Sequence, residues 1–165
     1  MLADEDVEFF QAGVKHYPQA LRAVTRFREM VVGELQDALQ RIPKASILAI
    51  GEEAAPSTST GSGAPYISAF ASTRSKKRVE IGLWWSPPWS SSASDVTVSA
   101  YATVTGVPYA KKLTKPDAFP GGLYKGAQST YLTMSFSAQS ELPKVLNELL
   151  GYLERSVLAE EERGG

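Results

Sequence analysis

The sequence predicts an α+β fold: N-terminal helices, a mostly antiparallel sheet of about five strands, and a C-terminal helix packed on one sheet face. Three observations predict it. Apolar residues recur every three or four positions near both ends of the chain, several central segments alternate apolar and polar residues, and glycine, proline and serine clusters separate those segments. At 165 residues, with 43% apolar and 21% charged side chains, the chain has the composition of one folded domain. A domain of that length buries roughly 70% of the surface its unfolded chain exposes. The expected divisions are a helical part over 1–42, a sheet part over 45–137 with a long loop at 106–128, and a C-terminal helix over 140–160.

Taken in order, Asp4 or Asp6 can cap a first helix whose apolar side carries Val7, Phe9, Phe10 and Val14. Tyr17-Pro18 predicts a break, because the residue before proline is pushed out of the α region while proline suits a first helical turn. A second helix is expected from Pro18 to Arg41, with Leu21, Val24, Phe27, Val31, Leu35, Ala38 and Ile42 along its apolar side. Ser46–Gly51 is a short apolar run and the first strand candidate, and Glu52–Ala64 has the composition of a loop. Tyr66–Thr73 and Arg78–Ser86 form a hairpin around Arg74-Ser75-Lys76-Lys77.

Ser94–Thr105 sets Val96, Val98, Ala100, Ala102 and Val104 against Asp95, Thr97, Ser99, Tyr101 and Thr103. Ser129–Ser137 sets Leu132, Met134 and Phe136 against Tyr131, Thr133 and Ser135. Between them, 106–128 holds three prolines and four glycines and is expected to connect rather than pair. The final helix begins after Ser140 as N-cap and carries Leu142, Leu146, Leu149, Leu153 and Val157, and the tail from Glu160 is expected to fray.

Charge is unevenly distributed. Residues 74–125 hold eight basic and three acidic side chains (net +5), whereas 1–60 and 127–165 are each −3. Such a split concerns partners and association rather than fold. Cysteine is absent, which excludes disulfides, thiolate catalysis and Cys-ligated metal sites. The acidic opening Met1-Leu2-Ala3-Asp4-Glu5-Asp6 lacks the basic and apolar regions of a signal peptide, so a cytoplasmic location is expected.

Period-2 alternation assigns Glu80, Trp84, Tyr101, Tyr131 and Thr133 to the sheet face turned away from the apolar one. Tyrosine and tryptophan offer large contact area with a hydrogen-bonding group. The expected binding residues are therefore Trp84, Tyr101, Tyr131, Thr133 and Trp89, the last from the string Leu83-Trp84-Trp85-Ser86-Pro87-Pro88-Trp89. A plain solvated sheet face uses the same residue types. The alternative site is basic: Arg74, Lys76, Lys77 and Arg78 with Lys111 and Lys112 for a nucleic acid or another anionic ligand. The sequence pI of about 5.9 and the lack of a recognisable nucleic-acid motif weigh against it.

Catalytic signals are sparse. His16 stands alone beside Tyr17-Pro18 and reads as a surface or capping residue, and no Gly-x-Ser-x-Gly elbow is present. A metal-dependent hydrolase built on Glu80, Asp95 and Asp117 is a third alternative. Gly61-Ser62-Gly63 and Gly121-Gly122 lack the context of a phosphate-binding loop. The chain thus reads as a non-enzymatic domain that binds a protein partner or itself, with no cofactor, no metal and no membrane association.

Overall fold

The computed structural model describes residues 4–52, 56–59, 66–85, 98–105, 113–127 and 129–164, with the backbone alone at 4–6, 9, 10 and 164. It is an α+β protein: helix α1 (Asp4–Gln40), strands β1 (Ser57–Ser59), β2 (Tyr66–Ser72), β3 (Arg78–Trp85), β4 (Val98–Thr105), β5 (Gly122–Lys125) and β6 (Thr130–Ser135), and helix α2 (Leu142–Gly164). The strands form one antiparallel sheet in the order β1-β2-β3-β4-β6-β5. The chain divides into two compact units, residues 1–31 and 32–165. No helix of the described residues is long and apolar enough to cross a membrane.

The first unit is helical throughout its described length. The break expected at Tyr17-Pro18 does not occur, and Pro18 lies inside α1. Proline removes the hydrogen bond to the carbonyl four residues back but leaves the remaining turns intact, and the bias on its predecessor is a preference that strong helix formers such as Ala20, Leu21 and Arg22 can outweigh. His16 is accordingly an exposed residue within a helix, not at a helix boundary.

In the second unit, the core lies between the sheet and α2. Ile67, Ala69 and Ala71 of β2, Val79, Ile81 and Leu83 of β3, Ala100, Ala102 and Val104 of β4, and Leu132 of β6 are buried on one face. Leu142, Leu146, Leu149, Leu153 and Val157 of α2 are buried too, and α2 packs against β4 and β6. Leu35, Ala38 and Leu39, from the last turns of α1, belong to the buried set of this unit. The final helix therefore buries the stripe that its sequence periodicity marks out.

Several boundaries differ from expectation. Ser46–Gly51 is a series of turns, with Ile50 alone bridging Thr73. Ser46 Oγ accepts a bond from the Leu48 amide, and Glu154 Oε1 accepts one from the Ile47 amide. Leu48 and Ala49 are buried, so the apolar run marks burial rather than an extended backbone. Two strands come from segments expected to be loops: the polar triplet of β1 and the Gly122–Lys125 strand of β5. Each is an edge strand held by one neighbour, and the pairing, not its own pattern, makes it a strand.

The segment 113–121 is tied to α2 side by side. Tyr152 Oη donates to the Ala118 carbonyl (3.0 Å), Ser156 Oγ donates to the Thr114 carbonyl (2.8 Å), and the Phe119 and Tyr152 rings lie 4.7 Å apart. α2 also starts differently from expectation. Ser140 lies in a short 3-10 turn, and the Glu141 carboxylate accepts from the amides of Ser137 (2.9 Å) and Ala138 (3.3 Å). Those two bonds hold the Glu141 carboxyl below its ordinary range. The expected fray does not occur: α2 runs to Gly164, with Arg163 bonded to Glu160 (2.6 Å) and Glu161 paired to Lys77.

Candidate functional site

The pleat sends alternate residues of each strand to the face opposite α2. Strand register then decides which of them meet. On that face β2 contributes Tyr66, Ser68 and Phe70, and β3 contributes Arg78, Glu80, Gly82 and Trp84. Ser99, Tyr101 and Thr103 come from β4, Tyr131 and Thr133 from β6, and Tyr124 from β5.

Five rings run across the sheet in a continuous line. Tyr66 and Trp84 are cross-strand partners with centroids 5.9 Å apart, and Trp84 reaches Tyr101 diagonally at 6.0 Å. Tyr101 reaches Tyr131 at 5.7 Å in an edge-to-face arrangement, and Tyr131 faces its partner Tyr124 at 6.0 Å. Edge-to-face and tilted pairs at these separations are favourable for the ring quadrupoles. The position directly across from Tyr101 on β3 is Gly82, and the Tyr101 ring lies over it.

Beside the middle of this line lies a pocket of about 240 Å³, lined by Tyr66, Ser68, Arg78, Glu80, Trp84, Tyr101 and Tyr131. Its polar floor is organised around Glu80. Tyr101 Oη donates to Glu80 Oε1 at 3.1 Å, and Arg78 Nη2 stands 3.6 Å from Glu80 Oε2. The Arg78 guanidinium is stacked 3.6 Å above the Phe70 ring. The pocket thus combines aromatic walls with one carboxylate and one guanidinium, a surface suited to reversible contact through ring faces and a few hydrogen bonds.

Trp84, Tyr101, Tyr131 and Thr133, each expected at the site, are brought together on this face. Their exposure is not uniform, however. Tyr101 is 2% exposed and Thr133 is also buried, whereas Tyr66, Trp84, Tyr131 and Tyr124 remain half-buried. Tyr101 is covered because rings stand on both sides of it across the register, so it is the centre of the patch and not its contact surface. Tyr66 and Tyr124, which are not among the residues expected on this face, also join the site; both sit directly across from a site ring. Trp89, Lys111 and Lys112 lie outside the described residues, as does Asp95.

The hairpin cations are mostly engaged within the protein. Arg74 pairs with Glu52 (3.7 Å) and donates to the Lys44 carbonyl, Arg78 is held by Glu80 and Phe70, and Lys77 is buried and paired with Glu161. Lys76 is exposed at the turn with φ 59°, a left-handed residue of the kind that closes three-residue hairpin loops. Asp117 is exposed, and among the described residues no three histidine or acidic side chains are grouped to hold a metal ion.

A second concavity of about 450 Å³ is lined by residues including Arg41, Ile42, Leu48, Leu150 and Glu154. Two of its polar groups, Ser46 Oγ and Glu154 Oε1, already accept bonds from the Leu48 and Ile47 amides, so they serve the turn that forms its wall. No protein family, curated protein or solved structure matches this chain.

Burial, and then the negative charge of Glu80, push the Tyr101 phenol well above its ordinary range, and the same two causes raise Tyr131. Below about pH 10 both phenols are protonated in the folded and unfolded states and add no pH dependence. Above it, the unfolded chain releases protons that the native tyrosines keep, so stability falls as pH rises. A spectroscopic titration of tyrosinate, run beside urea unfolding at each alkaline pH, is expected to show ionisation of Tyr101 only together with loss of fold. Ionisation while the fold persists would contradict the burial assigned to it.

Proposed function

We propose that this chain is a non-enzymatic binding domain that engages a protein partner, another chain or a second copy of itself, through the aromatic- and hydroxyl-rich sheet face. The observation that carries the reading is the line of five rings with the Glu80-centred pocket beside it. Half-exposed tyrosine and tryptophan side chains in one contiguous patch are what protein contact surfaces are enriched in, because they offer area and a hydrogen-bonding group with few torsions to freeze. The internal pairing of Arg74, Lys77 and Arg78 makes the anionic-ligand alternative weaker than the residue counts imply.

In the test, the immobilised chain captures a partner, and binding is repeated with Trp84→Ala and Tyr131→Ala and across a range of salt. Each substitution is expected to weaken binding by about tenfold, a typical loss for a central aromatic contact. The folded state, checked by circular dichroism, should persist, and salt should matter little. Steep salt dependence with loss on Lys76→Ala and Arg74→Ala would instead favour the anionic ligand. Unchanged binding by both aromatic variants would exclude this face.

A further inference from the structure

The helical first unit has an apolar side that the structure leaves in solvent. Val7, Val14, Tyr17, Leu21, Val24 and Phe27 are all exposed, Tyr17 by 62% and Val14 by 58%. Such a helix is not expected to persist in water by itself. It contains Gly13 and Pro18, which disfavour a helix interior by about 1 and about 3 kcal/mol relative to alanine. Helices in proteins draw most of their stability from packing an amphipathic face, so this one calls for an occupant.

The spacing says what kind. Val7, Val14 and Leu21 are seven residues apart, and Tyr17 and Val24 stand three residues after the last two of them; Phe10 completes the series in the sequence. This alternating three-four repeat is the heptad seam of a two-stranded coiled coil. The next heptad position is Arg28, which ends the apolar run.

The seam is complementary to itself when reversed. Laid antiparallel with the midpoint between residues 15 and 16, Val7 faces Val24 of a second copy, Phe10 faces Leu21, and Val14 faces Tyr17, so every layer is apolar. Charge agrees with the same register. On this repeat Glu5, Glu8, Arg22 and Arg26 take outer b and f positions, whereas Asp4 and Asp6 take positions flanking the seam and Arg28 a position within it. Antiparallel pairing sets position 28 of each copy beside positions 4 and 6 of the other, acid beside base. Parallel pairing sets Arg28 against Arg28. At the short distances of a helix pair such charges are not fully screened.

We propose that residues 7–28 of α1 form an antiparallel two-stranded coiled coil with the same segment of a second copy of this chain. The contact is independent of the sheet face: it uses a different surface and survives changes at Trp84. It makes the protein a dimer with two sheet-face sites.

The test uses the full chain. Light scattering after size exclusion is expected to give a dimer at micromolar concentration, and Leu21→Asp, which puts a charge into two symmetry-related layers, is expected to weaken dimerisation by at least about tenfold. Tryptophan fluorescence of the sheet should stay unchanged in that variant, which separates lost pairing from lost fold. Orientation is read by cysteine cross-linking, for which the cysteine-free chain is suited. An equimolar mixture of Val7→Cys and Val24→Cys chains should cross-link on oxidation, and Val7→Cys alone should not. A monomeric wild type, a dimer indifferent to Leu21→Asp, or cross-linking of Val7→Cys alone would each overturn the proposal.

Discussion

Gly82→Ala is expected to destabilise the protein by about 3 kcal/mol and to disturb the aromatic line at its centre. A Cβ at residue 82 would come within 2.6 Å of the Ile67 carbonyl oxygen and within 2.6 Å of the Tyr101 ring. The carbonyl belongs to a neighbouring strand and cannot rotate away, so either β2 and β3 separate or the ring is displaced. For a chain of this length the loss corresponds to a melting temperature about 10 °C lower. Thermal and urea unfolding measure it. A double-mutant cycle with Tyr101→Ala assigns the cause, since the alanine at 82 should cost less once the ring is gone. Simple additivity would mean that the ring does not sit where the geometry places it. Because Tyr101 also holds Glu80, the same substitution is expected to weaken sheet-face binding.

Leu149→Ala should cost about 3 kcal/mol, with a plausible span of about 2–5 set by how far the neighbours relax into the cavity. Leu149 is 0% exposed, in the stripe of α2 that is buried with Leu146 and Leu153. Leu158→Ala on the same helix provides the contrast. That residue is 42% exposed, and its substitution should change stability by no more than about 0.5 kcal/mol. The difference between the two in urea midpoint, at unchanged slope, checks that the sheet–α2 layer is the core. Equal effects would place the core elsewhere.

Much of this architecture is legible in the residues. The period-2 alternation of β2, β3, β4 and β6 carries its own face assignment, because a one-residue slip would expose Ile81 and Leu83 and bury Glu80. The α2 stripe is similarly self-declaring. What local pattern could not decide is backbone form where burial and pairing compete. Ser46–Gly51 has a strand's apolar content but is folded into turns by Ser46 Oγ and Glu154. Ser57–Ser59 has almost no strand character of its own and becomes one by bonding to β2. The start of α2 depends on a carboxylate reaching back from Glu141 rather than on Ser140.

The site divides in the same way. That Trp84, Tyr101, Tyr131 and Thr133 share a face follows from alternation within each strand and needs no tertiary information. That Tyr66 and Tyr124 join them, that Tyr101 is covered while its neighbours stay half-exposed, and that Gly82 makes room for a ring, are consequences of register between strands. The positive segment shows the same limit, since Lys77 meets Glu161 across 84 residues of chain and Arg78 stacks on Phe70 across the hairpin. Composition and periodicity are properties of short stretches, and they determined which residues belong to which face. Exposure, ion pairing and ring contact depend on partners distant in the chain, and only the tertiary structure could decide them.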